Sequence, residues 1–312
     1  MLKQVPLSCP GHTRPVVQLH YSESTSSGYY LISASKDGKP MLRKGETGDW
    51  IGTFQGHKGA VWGACLNKDA SRAATGAADF SAKLWNAQSG TEQFSFTHKH
   101  IVKAVDFCES GTKLLTGCND KTLRIFDLNN CSGKPEIELN GHKSAIKCSV
   151  WSSEYLIISC AEDEDLCLWD TRVGTCVKTL VLESPATSLE LSHERKLLVV
   201  ANGQLVSFVD TSEMTLIKSF AMPTETYSAS VSPDLSTFVT GGEDFKIYKC
   251  SYEDGSMLES YKGHFGPVHC VRYSPDGQVY CSGSEDGTIR LWLNTVGKSY
   301  GLWKCSESTS DT

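Results

Sequence analysis

Gly263-His264-Phe265-Gly266-Pro267-Val268-His269-Cys270-Val271-Arg272-Tyr273-Ser274-Pro275-Asp276-Gly277 opens the stretch that decides the fold. The stretch continues to Ser282-Gly283-Ser284-Glu285-Asp286-Gly287-Thr288-Ile289-Arg290-Leu291-Trp292. Its β-rich runs are separated by two turn sequences, Ser-Pro-Asp-Gly and Glu-Asp-Gly, which predict three short antiparallel strands. One such sheet cannot bury both of its faces alone. The fold therefore depends on whether the chain repeats the unit.

The same order of residues recurs along the chain. A histidine preceded by Gly or Thr stands at Gly11-His12, Gly56-His57, Thr97-His98, Gly141-His142 and Gly263-His264. The first four histidines follow one another at steps of 41 to 45 residues. This period, with Gly-His at one end of the unit and Trp-Asp at the other, is the signature of WD40 repeats in a β-propeller.

The interval between His142 and His264 has room for two further, degenerate units. One ends near residues 208–210, and the other carries the turn sequences at 232–234 and 240–244. The total is seven units. The sequence therefore predicts an all-β protein, a seven-bladed WD40 β-propeller with four antiparallel strands in each blade.

The two ends of the chain compete for one position in this ring. In the other units the stretch before Gly-His is the outer strand of the preceding sheet, so residues 3–8 are predicted to be the outer strand of the last blade. That strand would close the ring and protect an edge. Residues 297–303 also resemble an outer strand. We expect a single propeller over residues 1–305 and a disordered polar tail over residues 306–312.

Each well-preserved unit carries four polar positions. An Asp in a tight turn can accept from a His, the His can contact a Ser or Thr hydroxyl, and a Trp indole can close the chain of hydrogen bonds. The complete sets are His57, Thr75, Asp79 and Trp85; His142, Ser159, Asp163 and Trp169; and His264, Ser282, Asp286 and Trp292. Phe126 and Arg43 replace the Trp in two other units. Because the pattern recurs, we interpret it as structural rather than as a catalytic triad.

Composition limits the possible functions. The net charge is −6, the pI is about 5.9, and no Lys/Arg-rich run occurs, which argues against autonomous or sequence-specific binding of nucleic acid. The 13 cysteines include no C-x-x-C pair, so we expect free thiols and no bound zinc. No cofactor or other metal is expected. The N-terminus has no signal-peptide pattern and no apolar stretch could span a membrane, which favours a cytoplasmic and nuclear location without membrane contact.

Function in a propeller is expected in the loops of its rim. Trp62 is the most informative candidate because Trp and Arg dominate binding hot spots, although its indole could instead pack against a neighbouring sheet. The full set of candidates for a protein-binding rim is Arg14, Lys58, Trp62, Lys99, His100, Lys103, Lys147, Phe265 and His269.

Several stretches go beyond the general WD40 pattern: residues 36–43, 47–54, 56–64, 241–246, 261–272 and 296–305. Together they closely resemble the family of serine/threonine kinase receptor-associated proteins, also called Unr-interacting proteins. The resemblance covers essentially the whole chain. It implies a non-catalytic scaffold, monomeric within a larger complex. The implied partners are the SMN complex with its Gemin subunits, the RNA-binding protein Unr, and TGF-β receptor and Smad proteins. The implied roles are assembly of spliceosomal small nuclear ribonucleoproteins, with links to mRNA processing and splicing, and dampening of TGF-β signalling.

Three other functions are alternatives to the scaffold. Basic rim residues could follow an RNA backbone, although the acidic pI opposes this. The sequence Trp169-Asp170-Thr171-Arg172 matches the W-D-x-R box of substrate receptors for cullin-type ubiquitin ligases. An enzyme is disfavoured, because the chain has no P-loop, no G-x-S-x-G elbow and no cluster of metal ligands.

Overall fold

Seven four-stranded antiparallel sheets make up the computed structural model, which describes residues 4–295. No helix occurs in this range, and so none that could cross a membrane. The innermost strands of neighbouring sheets contact one another in a closed circle of seven. The prediction of a seven-bladed β-propeller is confirmed.

Each blade is a meander of four strands. Blade 1 contains β2 (Val16–Tyr21), β3 (Tyr30–Ser35), β4 (Met41–Lys44) and β5 (Trp50–Thr53), and blade 2 contains β6 (Val61–Leu66), β7 (Arg72–Ala77), β8 (Ser81–Asn86) and β9 (Glu92–Thr97). Blade 3 contains β10 (Val102–Phe107), β11 (Lys113–Cys118), β12 (Thr122–Asp127) and β13 (Ile137–Asn140), and blade 4 contains β14 (Ile146–Trp151), β15 (Leu156–Ala161), β16 (Asp165–Asp170) and β17 (Thr175–Val181). Blade 5 contains β18 (Ala186–Leu191), β19 (Leu197–Asn202), β20 (Leu205–Asp210) and β21 (Thr215–Ala221), and blade 6 contains β22 (Thr226–Val231), β23 (Thr237–Gly242), β24 (Lys246–Ser251) and β25 (Met257–Lys262). Blade 7 combines β26 (Val268–Tyr273), β27 (Val279–Ser284) and β28 (Ile289–Leu293) with β1 (Leu7–Cys9) from the start of the chain.

The core lies between neighbouring blades. The second and third strands of a blade are buried on both faces. Strands β7 and β19 therefore consist mainly of small or apolar residues, without alternation of apolar and polar side chains. Outer strands such as β9 and β17 are largely exposed. Large aromatic side chains fill the gaps: the rings of Phe54 in blade 1 and Trp85 in blade 2 lie 5.5 Å apart, and those of Phe96 and Phe126 lie 4.4 Å apart.

The N-terminal segment closes the ring. Leu7 pairs with Leu291 and Cys9 with Ile289, which makes β1 the outer strand of blade 7. The observed strand begins later than predicted, since Pro6 has no N–H to donate to the ladder. Residues 297–303, the alternative prediction for this outer strand, lie outside the described residues. Residue 3 and the expected tail 306–312 do so as well.

Every innermost strand carries a β-bulge near its first residue. The bulged residues are Val17, Trp62, Lys103, Lys147, Thr187, Tyr227 and His269. Bulges redirect side chains and are common beside functional sites. These seven follow directly on the loops that enter the innermost strands, and we call the end of the propeller that carries those loops the upper face.

Candidate functional site

Two blades contain a complete polar network. In blade 2 the Nδ1 atom of His57 lies 2.9 Å from Asp79 Oδ2, and Nε2 lies 2.7 Å from Thr75 Oγ1. The indole N–H of Trp85 donates to the same hydroxyl at 2.8 Å. With the indole donating to Thr75, the hydroxyl proton can point to Nε2, which leaves Nδ1–H for the carboxylate.

Blade 7 repeats this geometry from different turn residues. His264 Nδ1 lies 3.0 Å from Asp286, Nε2 lies 2.7 Å from Ser282, and Trp292 donates to Ser282 at 2.9 Å. Burial opposes ionisation of Asp286. The hydrogen bonds from the Phe265 N–H and from Thr288 outweigh burial, however, and lower the pKa of this carboxyl to about 2.

These networks cannot serve as nucleophilic triads. In a triad the hydroxyl must reach a substrate, but Thr75 and Ser282 have no exposed surface. Each hydroxyl also accepts a hydrogen bond from a fully buried indole. Their chemistry is therefore that of a satisfied internal network, which makes each blade rigid.

Blade 4 departs from the predicted set. His142 still contacts Ser159 at 2.7 Å, and Trp169 donates to Ser159 at 2.8 Å, but Nδ1 of His142 is buried without a partner. The predicted link to Asp163 is wrong. That carboxylate accepts instead from the hydroxyl of Ser144, at 2.8 Å.

Two neighbouring features distinguish blade 4 from blades 2 and 7. Ser81 and Thr288 donate hydroxyl protons to Asp79 and Asp286, both at 2.7 Å, whereas blade 4 has Asp165 at this position. A carboxylate cannot donate and repels its neighbour. The turns of blades 2 and 7 also place one residue at positive φ after the Asp, and Glu164 does not adopt that conformation.

Blades 1 and 3 hold partial networks. His12 lies 2.8 Å from both Asp37 and Ser33, while Arg43, at the Trp position, donates to the carbonyl of Pro10 instead. In blade 3 the His98–Thr116 contact of 2.9 Å is present. Asp120 is paired there with Arg124, at 2.7 Å and 3.1 Å, so His98 turns its other nitrogen to the carbonyl of Phe96.

Four of the predicted rim residues meet in one cavity on the upper face. Trp62, Lys103, Lys147 and His269 are bulged residues of four blades, and all line a cavity of about 360 Å³. Trp62 is half-buried, and its indole N–H has no hydrogen-bond partner. The cavity occupies the space where the innermost strands begin.

Basic and aromatic groups are interleaved at this opening. The ammonium groups of Lys36 and Lys103 lie 5.6 Å and 5.9 Å from the centre of the Trp62 ring, within reach of a cation–π interaction. On the opposite side the rings of Tyr227 and His269 stack, with their centres 5.7 Å apart. We call Lys36, Trp62, Lys103, Lys147, Tyr227 and His269 the mouth cluster.

The other five rim candidates lie outside this cavity. Arg14, Lys58, Lys99, His100 and Phe265 are all exposed in the loops of the upper face. Phe265 has 86% of its surface exposed, and the ring of His100 lies 5.4 Å from that of Phe80. They surround the mouth cluster but are not joined to it by the cavity.

Comparison with known proteins places this architecture in a family. Residues 48–86, 90–127, 133–170 and 255–292 match the family described as "WD domain, G-beta repeat". The chain is 56% identical over 304 residues to the serine-threonine kinase receptor-associated proteins of Gallus gallus and of Homo sapiens, which covers 97% of this chain and 87% of each relative. The protein of the same name from Dictyostelium discoideum is 45% identical over 289 residues, 92% of this chain and 98% of the relative.

The chain belongs to the family of serine-threonine kinase receptor-associated proteins. The matched WD segments leave out the first three strands of blade 1, all of blade 5 and most of blade 6. Blades 5 and 6 have no Gly-His pair. In this family member those blades nevertheless complete the ring. Blade 6 also supplies Tyr227 to the mouth cluster.

Two members of the mouth cluster were missed by the sequence analysis. Tyr227 occupies the position after the first residue of its strand, as do Trp62 and Lys103, but no Gly-His pair marks the start of that unit. Lys36 lies in the turn between β3 and β4, next to Asp37. Its proximity to Trp62 depends on the packing of blade 1 against blade 2 and has no signal in the sequence.

The floor of the cavity is formed by a buried arginine of blade 7. Arg272 donates to Ser228 at 2.9 Å and to the Val271 carbonyl at 2.7 Å, and it also contacts Ser188 at 3.3 Å. Its Nε lies 3.7 Å from Glu190. Burial raises the pKa of Glu190 to about 7, against the opposing effect of Arg272. Arg272 thus joins blades 5, 6 and 7.

No metal site accompanies these groups within residues 4–295, where His, Cys, Asp and Glu side chains do not gather in threes. The cysteines of that range are all free thiols, and most of them are buried. They include Cys65, Cys160, Cys167, Cys270 and Cys281.

Proposed function

We propose that this propeller is a non-catalytic adaptor that captures partner proteins at the mouth cluster. The main support for this proposal is the environment of Trp62. This side chain is half-buried between two ammonium groups, and its indole N–H has no hydrogen-bond partner. The indole presents a large, rigid apolar surface at the cavity, and Trp residues of this kind are typical binding hot spots. The buried hydroxyls of the blade networks support a structural role for the Ser, His and Asp residues, and so an adaptor rather than an enzyme.

The names of the relatives suggest the first partner. Proteins 56% identical to this chain are named for association with a serine-threonine kinase receptor, and we propose such a receptor as a partner here. The family resemblance adds finer proposals: the SMN complex with its Gemin subunits, Unr, and TGF-β receptor and Smad proteins. Partners of these kinds would place the adaptor in the cytoplasm and the nucleus.

A pull-down from native lysate tests the adaptor and its surface together. The tagged wild-type chain should retain kinase-receptor, Smad or SMN-complex proteins, and Trp62→Ala should lose most of them. Trp50→Ala is the matched control, because Trp50 is a second surface tryptophan but lies on the outer strand of blade 1, away from the cavity. Equal losses in both variants would contradict the role of the mouth cluster. Turnover of a substrate by the purified chain would contradict the adaptor itself.

A second candidate function rests on a different surface. Arg172 is fixed by two hydrogen bonds to Asp170, at 3.0 Å and 2.5 Å, and lies over the ring of Tyr155 at 5.2 Å. Its side chain remains 63% exposed. A fixed, exposed guanidinium suits the docking of a cullin-ligase adaptor. Arg172→Ala should then abolish capture of that adaptor while leaving the partners of the mouth cluster bound.

A further inference from the structure

The cavity at the mouth cluster has a one-sided charge. Three lysines line it, Lys36, Lys103 and Lys147, and Arg272 lies at its floor beside Glu190. Its described lining includes no Asp or Glu, although the whole chain has a net charge of −6. A concentration of positive charge in a concave site raises the local concentration of anions.

Two of these lysines are held only loosely by neighbouring acids. Lys103 contacts Glu162 at 3.2 Å, and Lys36 lies 3.8 Å from Glu285, with about half of each Glu side chain exposed. Such exposed pairs contribute little to stability, so an incoming anion can replace them. Lys147 forms no ion pair among the described residues, and its ammonium is therefore free for a ligand.

The size of the cavity selects the shape of the partner. A space of about 360 Å³ holds one or two side chains, not a folded domain. The seven bulges direct their side chains around this opening, so a partner must offer a projecting or extended segment. The indole of Trp62 and the stacked pair of Tyr227 and His269 supply apolar surface on either side.

The surroundings favour a peptide over a nucleic acid. Exposed acids stand around the opening: Glu162 beside Lys103, Glu285 beside His269 at 2.6 Å, and Glu225 and Glu243 close enough to Tyr227 to act on its hydroxyl. A continuous phosphate backbone crossing the upper face would meet these carboxylates. A single side chain that enters the cavity would pass them and reach only the cations.

We propose that the mouth cluster binds an acidic, extended peptide segment of a partner protein, with a Glu or Asp carboxylate between Lys36, Lys103 and Lys147 and an adjacent apolar side chain against Trp62. The inference rests on the proposed adaptor function and names the chemistry of its partner. Charge-assisted hydrogen bonds from ammonium groups to a carboxylate would supply the specificity.

Fluorescence anisotropy with defined peptides tests this proposal. The probe is a labelled peptide of alternating glutamate and leucine, and the comparison is the same peptide with glutamine for glutamate. The glutamate peptide should bind, and its affinity should fall when salt is raised from about 50 mM to about 300 mM, because screening weakens partly exposed ion pairs. Equal affinity for the glutamine peptide would overturn the proposal.

A matched pair of charge reversals locates the site. Lys147→Glu should weaken binding of the glutamate peptide by about tenfold or more. Lys58→Glu makes the same charge change on the same face, outside the cavity, and should alter the affinity by less than about twofold. Similar losses of affinity in both variants would mean that the peptide responds only to the overall charge of the face, and would overturn the assignment of the site. Thermal unfolding of each variant checks that it is folded.

Two further outcomes separate this inference from the adaptor function. Loss of lysate partners in Trp62→Ala without any affinity for the glutamate peptide would leave the adaptor standing and overturn the acidic ligand. Lys147-dependent peptide binding with partners retained by Trp62→Ala would support the ligand and place partner capture elsewhere. Single-stranded oligouridylate that binds more tightly than the peptide, with the same dependence on Lys147, would overturn the peptide in favour of RNA.

Discussion

The hydroxyl of Ser144 donates a 2.8 Å hydrogen bond to the carboxylate of Asp163, and this contact stands where blades 1, 2 and 7 join a histidine to an aspartate. Gly59 and Gly266 occupy the position of Ser144 in blades 2 and 7. A Cβ atom at Gly59 would lie 2.8 Å from the backbone N of Asp79, so the glycine permits the close approach of loop and turn. Blade 4 has lost this approach, and His142 keeps an unpaired buried nitrogen.

Restoring the residues of blade 2 in blade 4 should repair the network. In the double variant Ser144→Gly with Asp165→Ser, the new hydroxyl can donate to Asp163 and the carboxylate becomes free to accept from His142. We expect the free energy of unfolding in urea to rise by about 1 kcal/mol, since a buried unpaired polar atom gains a partner. The same pair of changes in a His142→Ala background should bring no gain. A gain that persists there would show that the histidine is not involved.

Removal of the aspartate should have unequal effects in the two blades. Asp79 accepts from His57, from the Lys58 N–H and from both the N–H and hydroxyl of Ser81. In the part of the chain that the structure describes, Asp163 accepts only from the Ser144 hydroxyl at 2.8 Å and from the Asp165 N–H at 3.3 Å. We expect Asp79→Ala to lower the free energy of unfolding by about 2–4 kcal/mol and Asp163→Ala by about 1 kcal/mol. Urea titrations of the two variants give the comparison. Equal losses would mean that the network in blade 2 is no more stabilising than the two contacts of Asp163 in blade 4.

The repeat pattern was sufficient for the fold but not for the detail of each blade. Period, turn residues and the Gly-His pairs predicted seven four-stranded sheets, because each depends on local sequence and on the need to cover a sheet face. The fate of Asp163 and Asp120 depended on Ser144 and Arg124, whose side chains donate to these carboxylates through contacts that a repeat signature does not include.

The candidate site was predictable in part for a similar reason. Trp62, Lys103, Lys147 and His269 share one position in the repeat, so they could be found together. Lys36 reaches Trp62 from the turn of another blade, and that proximity is a property of blade packing.

Trp62 and Trp169 should respond differently to the same truncation. Trp169 is fully buried, donates to Ser159 and packs in the core between blades 3 and 4, so Trp169→Ala should cost about 3–5 kcal/mol of unfolding free energy. Trp62 is half-buried at the cavity, and we expect Trp62→Ala to cost less than about 1 kcal/mol. Chemical unfolding of both variants provides the measurement. A loss for Trp62→Ala close to that of Trp169→Ala would identify Trp62 as a core residue.

The buried histidine of blade 3 should make stability depend on pH. Burial lowers the pKa of His98 to about 4, helped by the nearby Arg124, although the Phe96 carbonyl opposes the shift. Between about 4 and the usual value of 6.5 the unfolded chain binds the proton more readily than the folded chain, so stability falls as pH drops through this window. From pH 7 to pH 5 we expect His98 to account for a loss of about 2 kcal/mol.

Urea unfolding of the wild type and of His98→Gln at pH 7 and pH 5 isolates the contribution of His98 to this loss of stability. The glutamine does not titrate, so the variant should lose less stability on acidification than the wild type does. The remaining dependence includes the contributions of His12, His20, His142 and His264, whose pKa values burial also lowers. An unchanged slope in the variant would show that His98 does not carry the effect.

Arg272 and Glu190 should be coupled through the pKa of the carboxyl. Arg272→Met removes the cation beside Glu190 together with the donors to Ser228 and Ser188, and we expect a loss of about 3–5 kcal/mol at pH 8. The pKa of Glu190 is already raised to about 7, so lowering the pH to about 5.5 protonates the folded carboxyl and should relieve part of this loss. Adding Glu190→Gln should recover a similar part at pH 8 and remove the difference between the two pH values. Urea unfolding of the two single variants and the double variant completes the cycle. A penalty for Arg272→Met that is the same at both pH values would mean that the arginine acts through its hydroxyl and carbonyl contacts alone.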